Sequence, residues 1–164
     1  MWDFFNNASV SAFVGAFAAF LLVALTDIRR AHRKKRTMKD LICDLGDLAQ
    51  KKIETCRTNL AMIQEDNKFT TAPVMQFPTA PIKHIQLDVL YLLNANEKAG
   101  LDGILYWADA IDGLFAEALA TSERLRALAK KEAPTSLRAQ LGEDIIESFR
   151  NAERNLEYLV ELCG

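Results

Sequence analysis

The most strongly apolar stretch of the chain lies near its N-terminus. Residues 8–25 read ASVSAFVGAFAAFLLVAL, a run of 18 that contains neither a charged residue nor proline. As a helix this run would be about 27 Å long, close to the hydrocarbon thickness of a bilayer. The pattern therefore predicts a transmembrane helix, with residues 1–7 as a short external N-terminus.

Beyond residue 36 the apolar positions recur every three or four residues, which is the period of an amphipathic helix. Four cytoplasmic helices are predicted, at about 37–67, 81–98, 102–131 and 135–163. Asp102 is the expected N-cap of the third. No segment alternates apolar and polar residues with a period of two, as a half-buried strand would. The predicted fold class is all-α: one N-terminal transmembrane helix followed by an up-down four-helix bundle over 37–164.

The segment 68–80 interrupts the helical pattern with Pro73 and Pro78. Prolines surrounded by Thr and Ala are typical of a connecting loop. This loop is nevertheless apolar, so Val74, Met75 and Phe77 are expected to pack against the bundle.

Charge is distributed unevenly along the chain. Residues 1–39 carry a local charge of +5 and residues 40–164 a local charge of −7, within a total of −2. The basic residues of the juxtamembrane segment 26–36 are Arg29, Arg30, Arg33, Lys34, Lys35 and Arg36. Lys and Arg that follow an apolar span, with none before it, indicate an external N-terminus and a cytoplasmic remainder. The expected location is the inner (plasma) membrane.

Two partners are conceivable for this basic segment. Nucleic acid is one, but an acidic domain is a poor match for phosphates. Anionic lipid headgroups are favoured, because the first basic residue, Arg29, lies only four residues after the apolar run. Each such charge contributes about 1 kcal/mol near an anionic leaflet.

The apolar run has two other interpretations. A cleaved signal peptide would have positive charge before a shorter apolar core, whereas here the charge follows the run. A buried helix of a soluble protein would need a large surrounding core, which the remaining residues could hardly supply.

Small residues recur every four positions within the run, at Ser11, Gly15 and Ala19. Such a stripe lets two helix backbones approach closely in lipid, which predicts a homo-oligomer. Chance stripes are also frequent in membrane helices, so the alternative is an unused surface.

Candidate chemistry is sparse. Cys43, Cys56 and Cys163 form no metal-binding spacing, and free thiols fit a reducing compartment. His84 is the one histidine of the predicted bundle, and it is more simply a surface residue beside Asp88. No nucleotide-binding or nucleophile motif occurs. The chain is therefore expected to be non-enzymatic, with no catalytic residues, cofactor or metal.

Adjacent aromatic residues occur at Tyr106 and Trp107 in the third helical segment. Neighbours on a helix cannot both face the core, so one is expected at an edge. This pair is a possible partner surface, and ordinary edge packing is the alternative.

These features lead to a first hypothesis of function. The chain would be a single-pass, membrane-anchored interaction or scaffold protein that self-associates and presents its bundle to an unidentified cytoplasmic protein. The alternative is a membrane effector of a bacterial defence or toxin system, which senses a signal through the bundle and perturbs the membrane. An enzyme with an unrecognised site is the third possibility.

Overall fold

The computed structural model describes residues 8–66, 74–129 and 134–164, with side chains from 13–63, 74–128 and 134–164. Within these ranges the chain is helical and contains no strand. The helices are α1 (Ala8–Asp66), α2 (Thr79–Val89), α3 (Ala95–Ala129) and α4 (Thr135–Cys163), with a short 3-10 turn at Leu90–Leu92 after α2. The prediction of an all-α fold with a helical bundle is confirmed.

α1 is one unbroken helix of 59 residues, about 88 Å long. The apolar run, the basic segment and the first amphipathic segment all belong to it, because nothing between residues 8 and 66 interrupts the helical hydrogen bonds. Among the residues that the structure describes, no helix is both long and apolar enough to cross a membrane, so the predicted transmembrane helix is not supported.

The bundle begins at Ala31, the first buried residue among the side chains of α1 that the structure describes. Contacts between charged residues give the helix directions. Lys35 lies near Glu97 and Lys52 near Asp112, so α1 and α3 run in the same direction. Gly46 of α1 lies against Cys163, whereas Arg57, further along α1, pairs with Glu153 and Glu157, so α4 runs antiparallel to α1.

α2 also runs antiparallel to α1, since its C-terminal Asp88 binds Lys34 while Phe77, just before its start, lies beside Lys52. α2 thus returns the chain to the end of the bundle from which the N-terminal part of α1 projects. Residues 8–30 extend beyond the bundle at this end, over about 34 Å.

A single core joins all four helices. Its α4 positions have the three-and-four spacing of helices packed in a bundle: Gly142, Ile145, Phe149, Ala152, Leu156 and Leu159. Phe149 is stacked obliquely against Phe115 of α3, with ring centroids 6.1 Å apart. Phe115 and Phe149 are both buried.

Glycine allows a close approach between α1 and the end of α4. A Cβ placed on Gly46 would lie 2.9 Å from the Cβ of Cys163, nearer than two such atoms pack. A glycine inside a helix is destabilising by roughly 0.5–1 kcal/mol relative to alanine. Here it lets the last turn of α4 rest directly on the backbone of α1.

The boundary between the second and third helices differs from the prediction. α2 ends at Val89 rather than near residue 98, and α3 begins at Ala95 rather than at 102. Asp102 is therefore not an N-cap but lies inside α3, where it accepts a hydrogen bond from Gln86.

The cap of α3 is instead Asn94. Its side-chain oxygen accepts the N–H of Glu97 at 2.8 Å, while the Glu97 carboxylate accepts the N–H of Asn94 at 3.0 Å. This reciprocal pair is a capping box, which satisfies two donors at the helix start.

The connection before α2 is partly as predicted. Phe77 is buried and Val74 packs against the core, but Met75 is 79% exposed, so its predicted packing is wrong. Residues 67–73 lie outside the described part of the chain.

Candidate functional site

The part of α1 that projects from the bundle exposes apolar side chains on every side between residues 13 and 25. All its described side chains up to Arg30 are exposed except that of Ala24, which is half-buried. Phe20 and Leu22 are 68% and 70% exposed. The other large exposed apolar residues of this free segment are Phe13, Val14, Phe17, Leu21, Val23, Leu25 and Ile28. The bundle of this chain therefore leaves the free segment uncovered.

The predicted packing stripe lies on the free segment. Gly15 and Ala19 are exposed, and a Cβ on Gly15 would meet nothing within 4 Å. The side chain of Ser11 falls outside the described residues. The stripe is thus open to a second helix, and its use in self-association stays a prediction.

The basic segment is divided between two faces of α1. Lys34 binds Asp88 of α2 at 2.6 Å. Lys35 donates to the Leu92 carbonyl and to Glu97, both at 2.9 Å. These two lysines therefore hold α1 to the end of α2 and the start of α3.

The carboxylates of these pairs respond to their partners. The hydrogen bond and charge of Lys34 lower the pKa of Asp88. A hydrogen bond from Lys35, followed by one from the Asn94 backbone, lowers the pKa of Glu97. Both groups stay ionised near neutral pH, although exposed pairs of this kind contribute little to stability.

The arginines occupy the other face. Arg29, Arg33 and Arg36 follow one another at steps of four and three, and all are exposed. At 100° per residue they point roughly 140–160° away from Ala31, which faces the bundle. Arg30 is also exposed and lies 3.8 Å from Asp27. The arginine face is thus presented outward.

An aromatic patch lies where α3 and α4 meet. Tyr106 and Trp107 are joined by Tyr158 of α4, which the sequence analysis did not identify. Trp107 contacts each tyrosine edge-to-face, with centroids 5.4 Å apart. Trp107 packs partly against the core, whereas Tyr106 and Tyr158 are 67% and 46% exposed. The signal for Tyr158 is its position in the α4 pattern, directly before the buried Leu159.

A second feature that sequence reasoning missed is a buried lysine. The Lys52 side chain is 5% exposed, and its Nζ lies 3.1 Å from Asp112 and 3.6 Å from the centre of the Phe77 ring. Asp112 also accepts the Phe77 backbone N–H at 2.7 Å. Burial lowers the pKa of Lys52, and Asp112 opposes that shift. The cluster ties α1, α3 and the connection before α2 together.

The described residues contain no group of three or more potential ligands placed to hold a metal ion. Burial raises the pKa of Cys56 to about 12 and that of Cys163 to about 11. Both thiols are therefore poor nucleophiles near neutral pH. Cys43 is exposed.

Comparison with known proteins gives no match: no family model fits the chain, and neither the curated proteins nor the solved structures include a detectable relative.

Proposed function

We propose that this chain is a membrane-anchored, non-enzymatic interaction protein whose bundle lies on the cytoplasmic side of the inner membrane. The observation that supports this most is the free segment of α1, which exposes large apolar side chains all round. An extended surface of that kind is costly in water and marks a site of contact with lipid or protein. The proposed anchor runs from residue 8 to residue 25 of α1, and the side chains of residues 8–12 lie outside the described part of the chain.

The arginine face supports lipid as the contact. Arg29, Arg33 and Arg36 begin just beyond the apolar residues and point away from the bundle. Cations at that level attract anionic headgroups and favour retention on the cytoplasmic side. Lys34 and Lys35 were also predicted to contact lipid headgroups. Because they are paired with Asp88 and Glu97, they would have to contact headgroups without leaving these carboxylates.

Replacing Phe17 by Asp tests the anchor. An aspartate at the centre of a membrane helix costs about 2.5–3.5 kcal/mol, so insertion should fall roughly a hundredfold. The measurement is the fraction of full-length protein that stays with membranes after carbonate washing, with Phe17→Leu as the matched control. Release of the wild type by carbonate would contradict the proposal.

Orientation has its own test. A reporter fused to the C-terminus should be active only if it functions in the cytoplasm, because the basic residues all follow the apolar run. Activity confined to reporters that work outside the cytoplasm would reverse the proposed topology.

Self-association is the second part of the proposal. The stripe of Ser11, Gly15 and Ala19 offers a path for close helix contact in lipid. Clustering through it would also bring bundles together at high effective concentration, since α1 continues directly into the bundle.

Replacing Gly15 by Ile should weaken the oligomer, because a branched side chain prevents close approach of the two backbones. Crosslinking or mass determination in mild detergent would measure this, with Val14→Ile on a neighbouring face as control. A monomeric wild type would refute self-association, whereas an oligomer unchanged by Gly15→Ile would move the interface to the bundle.

The partner surface is proposed to be the aromatic patch of Tyr106, Trp107 and Tyr158. Tyrosine and tryptophan are enriched at the centres of protein interfaces, since they combine large contact area with a polar group. We assign this patch to the unidentified cytoplasmic protein partner.

One observation favours the alternative function as a membrane effector. α1 passes without a break from the free segment into the core, so a change in the bundle could turn or shift the anchor directly. Expression of the full chain separates the two functions, because an effector depolarises cells once triggered and a passive scaffold does not.

A further inference from the structure

A cleft between α3 and α4 is lined by both apolar and charged side chains. Its volume is about 350 Å³. Leu114 and Leu141 form the apolar part of the lining, and both pack partly against the core. The charged part consists of three exposed carboxylates and one exposed guanidinium, from Glu117, Asp144, Glu147 and Arg124. The cleft is therefore acidic around an apolar centre.

The cleft and the aromatic patch lie on the same side of the α3–α4 pair. Leu114 follows Trp107 by seven residues on α3, and Asn151, which also lines the cleft, precedes Tyr158 by seven on α4. Seven residues are close to two helical turns, so each step stays on one face and advances about 10 Å. Because α3 and α4 are antiparallel, both steps lead the same way along the bundle. The patch and the cleft are thus successive parts of one surface, which we term the α3–α4 groove.

Neither lipid nor the basic segment of a second copy is level with this groove. Asp112, five residues after Trp107 on α3, binds Lys52. Lys52 follows the end of the proposed anchor at residue 25 by 27 residues, about 40 Å along the unbroken α1. The headgroup layer on each side of a bilayer is only roughly 5–8 Å thick. A second copy in the same membrane has its basic segment 26–36 next to its own anchor, so the groove is left to a partner from the aqueous phase.

We infer that the α3–α4 groove binds a basic amphipathic helix of the cytoplasmic protein partner. This inference rests on the proposed function of the aromatic patch as the partner surface. A helix that docks in a groove uses apolar side chains up to seven residues apart as anchors. One apolar side chain of the partner contacts the aromatic patch, and another, seven residues along, contacts Leu114 and Leu141. Lysine or arginine side chains beside the second anchor lie near the carboxylates of Glu117, Asp144 and Glu147.

Charge and length both fit such a helix. Residues 40–164 carry a charge of −7, and opposite charge on a partner speeds its encounter and suppresses binding of acidic competitors. From Trp107 to Arg124 the groove follows 17 residues of α3, about 26 Å, which is the length of a five-turn helix. A partner helix along this path contacts the patch and the cleft together, so its contact is larger than the three aromatic residues alone provide.

The test measures peptide binding by fluorescence anisotropy, with the full-length protein in mild detergent. The probe is a labelled helix of about 18 residues, made of alanine and lysine, with two leucines seven residues apart and so on one face. A second peptide has glutamate in place of every lysine. A third has its leucines nine residues apart and so on opposite faces. Detergent takes up a given peptide to the same extent in every sample, so the ratio of Kd values between protein variants reports binding to the groove.

Three variants separate the two parts of the groove from net charge. Glu117→Gln/Glu147→Gln should raise the Kd of the lysine peptide about two- to thirtyfold, because two exposed ion pairs are lost. Tyr158→Ala should raise it at least about fivefold, because an aromatic anchor is lost. Asp40→Asn/Asp47→Asn is the matched control, since it removes the same charge from exposed positions of α1 outside the groove. Its Kd should equal that of the wild type, and the glutamate and opposed-leucine peptides should bind the wild type several-fold more weakly.

A Kd raised by Tyr158→Ala but not by Glu117→Gln/Glu147→Gln would overturn the inference and leave the aromatic patch as the partner surface. A Kd that neither variant changes would overturn both. An equal rise in the Asp40→Asn/Asp47→Asn control would show attraction by net charge alone, and absence of binding by the lysine peptide would exclude a basic helix. Dissociation of the wild-type oligomer by Glu117→Gln/Glu147→Gln, without peptide binding, would assign the groove to a second copy of the chain instead.

Discussion

Replacing Phe149 by Ala should destabilise the bundle by about 3–5 kcal/mol. The side chain is 2% exposed and lies against Phe115 at the contact between α3 and α4. Its removal forfeits the transfer free energy of an aromatic ring and leaves a cavity that a bundle of long helices closes only in part. Domains of this size have total stabilities of 5–15 kcal/mol, so the loss is a large share.

Urea unfolding of the full chain in detergent, followed by helical circular dichroism, measures this loss. Leu119→Ala is the control, because Leu119 lies on the same α3 as Phe115 but is 42% exposed. Leu119→Ala should lower the free energy of unfolding far less than Phe149→Ala does. Equal costs at the two positions would mean that the core does not depend on the α3–α4 contact.

The helical fold is predictable because each segment carries its own period. The start of α3 was predicted incorrectly, because two different residues could each have capped the helix. Asp102, which follows Gly100, was the predicted N-cap, but the Asn94–Glu97 capping box begins the helix eight residues earlier. A cap that satisfies two backbone donors outweighs an interior glycine, which costs only about 1 kcal/mol.

The buried lysine also has a sequence signal. The apolar spacing in α1 contains one step of five, from Leu48 to Ile53, and Lys52 falls within it. Leu45, Ala49, Lys52 and Cys56 follow one another at steps of four, three and four, and all are buried. Lysine is ordinarily found on the protein surface, whereas the helical period places Lys52 inside the bundle.

Neither the spacing of apolar residues nor the charge of the basic segment could predict which groups bind Lys34 and Lys35. Lys34 and Lys35 lie between the buried residues Ala31 and Met38 of α1, so the helical period places them at the edge of the bundle. Their carboxylate partners, however, are more than 50 residues away in sequence. Only the return of α2 and the start of α3 bring those groups together.

Replacing Asp112 by Ala should lower the free energy of unfolding about as much as replacing Phe149 by Ala, for an electrostatic reason. Asp112→Ala leaves the ammonium of Lys52 buried without its carboxylate, and breaking a buried pair in this way costs about 3–5 kcal/mol. The substitution also takes away the acceptor of the Phe77 N–H. The connection before α2 should loosen, which hydrogen exchange at Phe77 would detect.

The double variant Lys52→Met/Asp112→Ala separates the charge from the packing. Methionine keeps much of the lysine stem and removes the unpaired ammonium, so the double variant should be more stable than Asp112→Ala alone. A double variant no more stable than Asp112→Ala would show that the lysine charge carries none of the cost. In that case the effect would belong to the lost Phe77 hydrogen bond.

Alkaline pH gives an independent measure of the same charge. Burial already lowers the pKa of Lys52 from 10.5, and Asp112→Ala removes the hydrogen bond and the charge of Asp112, both of which raise it. At pH values between the lowered pKa of Lys52 in the folded state and its ordinary pKa, the unfolded chain binds more protons than the folded chain. The free energy of unfolding therefore rises with pH in this range. That rise begins at lower pH in the variant, because its folded-state pKa is lower. The stability deficit of Asp112→Ala should therefore narrow as the pH is raised toward 10.5, and a deficit independent of pH would contradict the assignment of Lys52 as a buried cation.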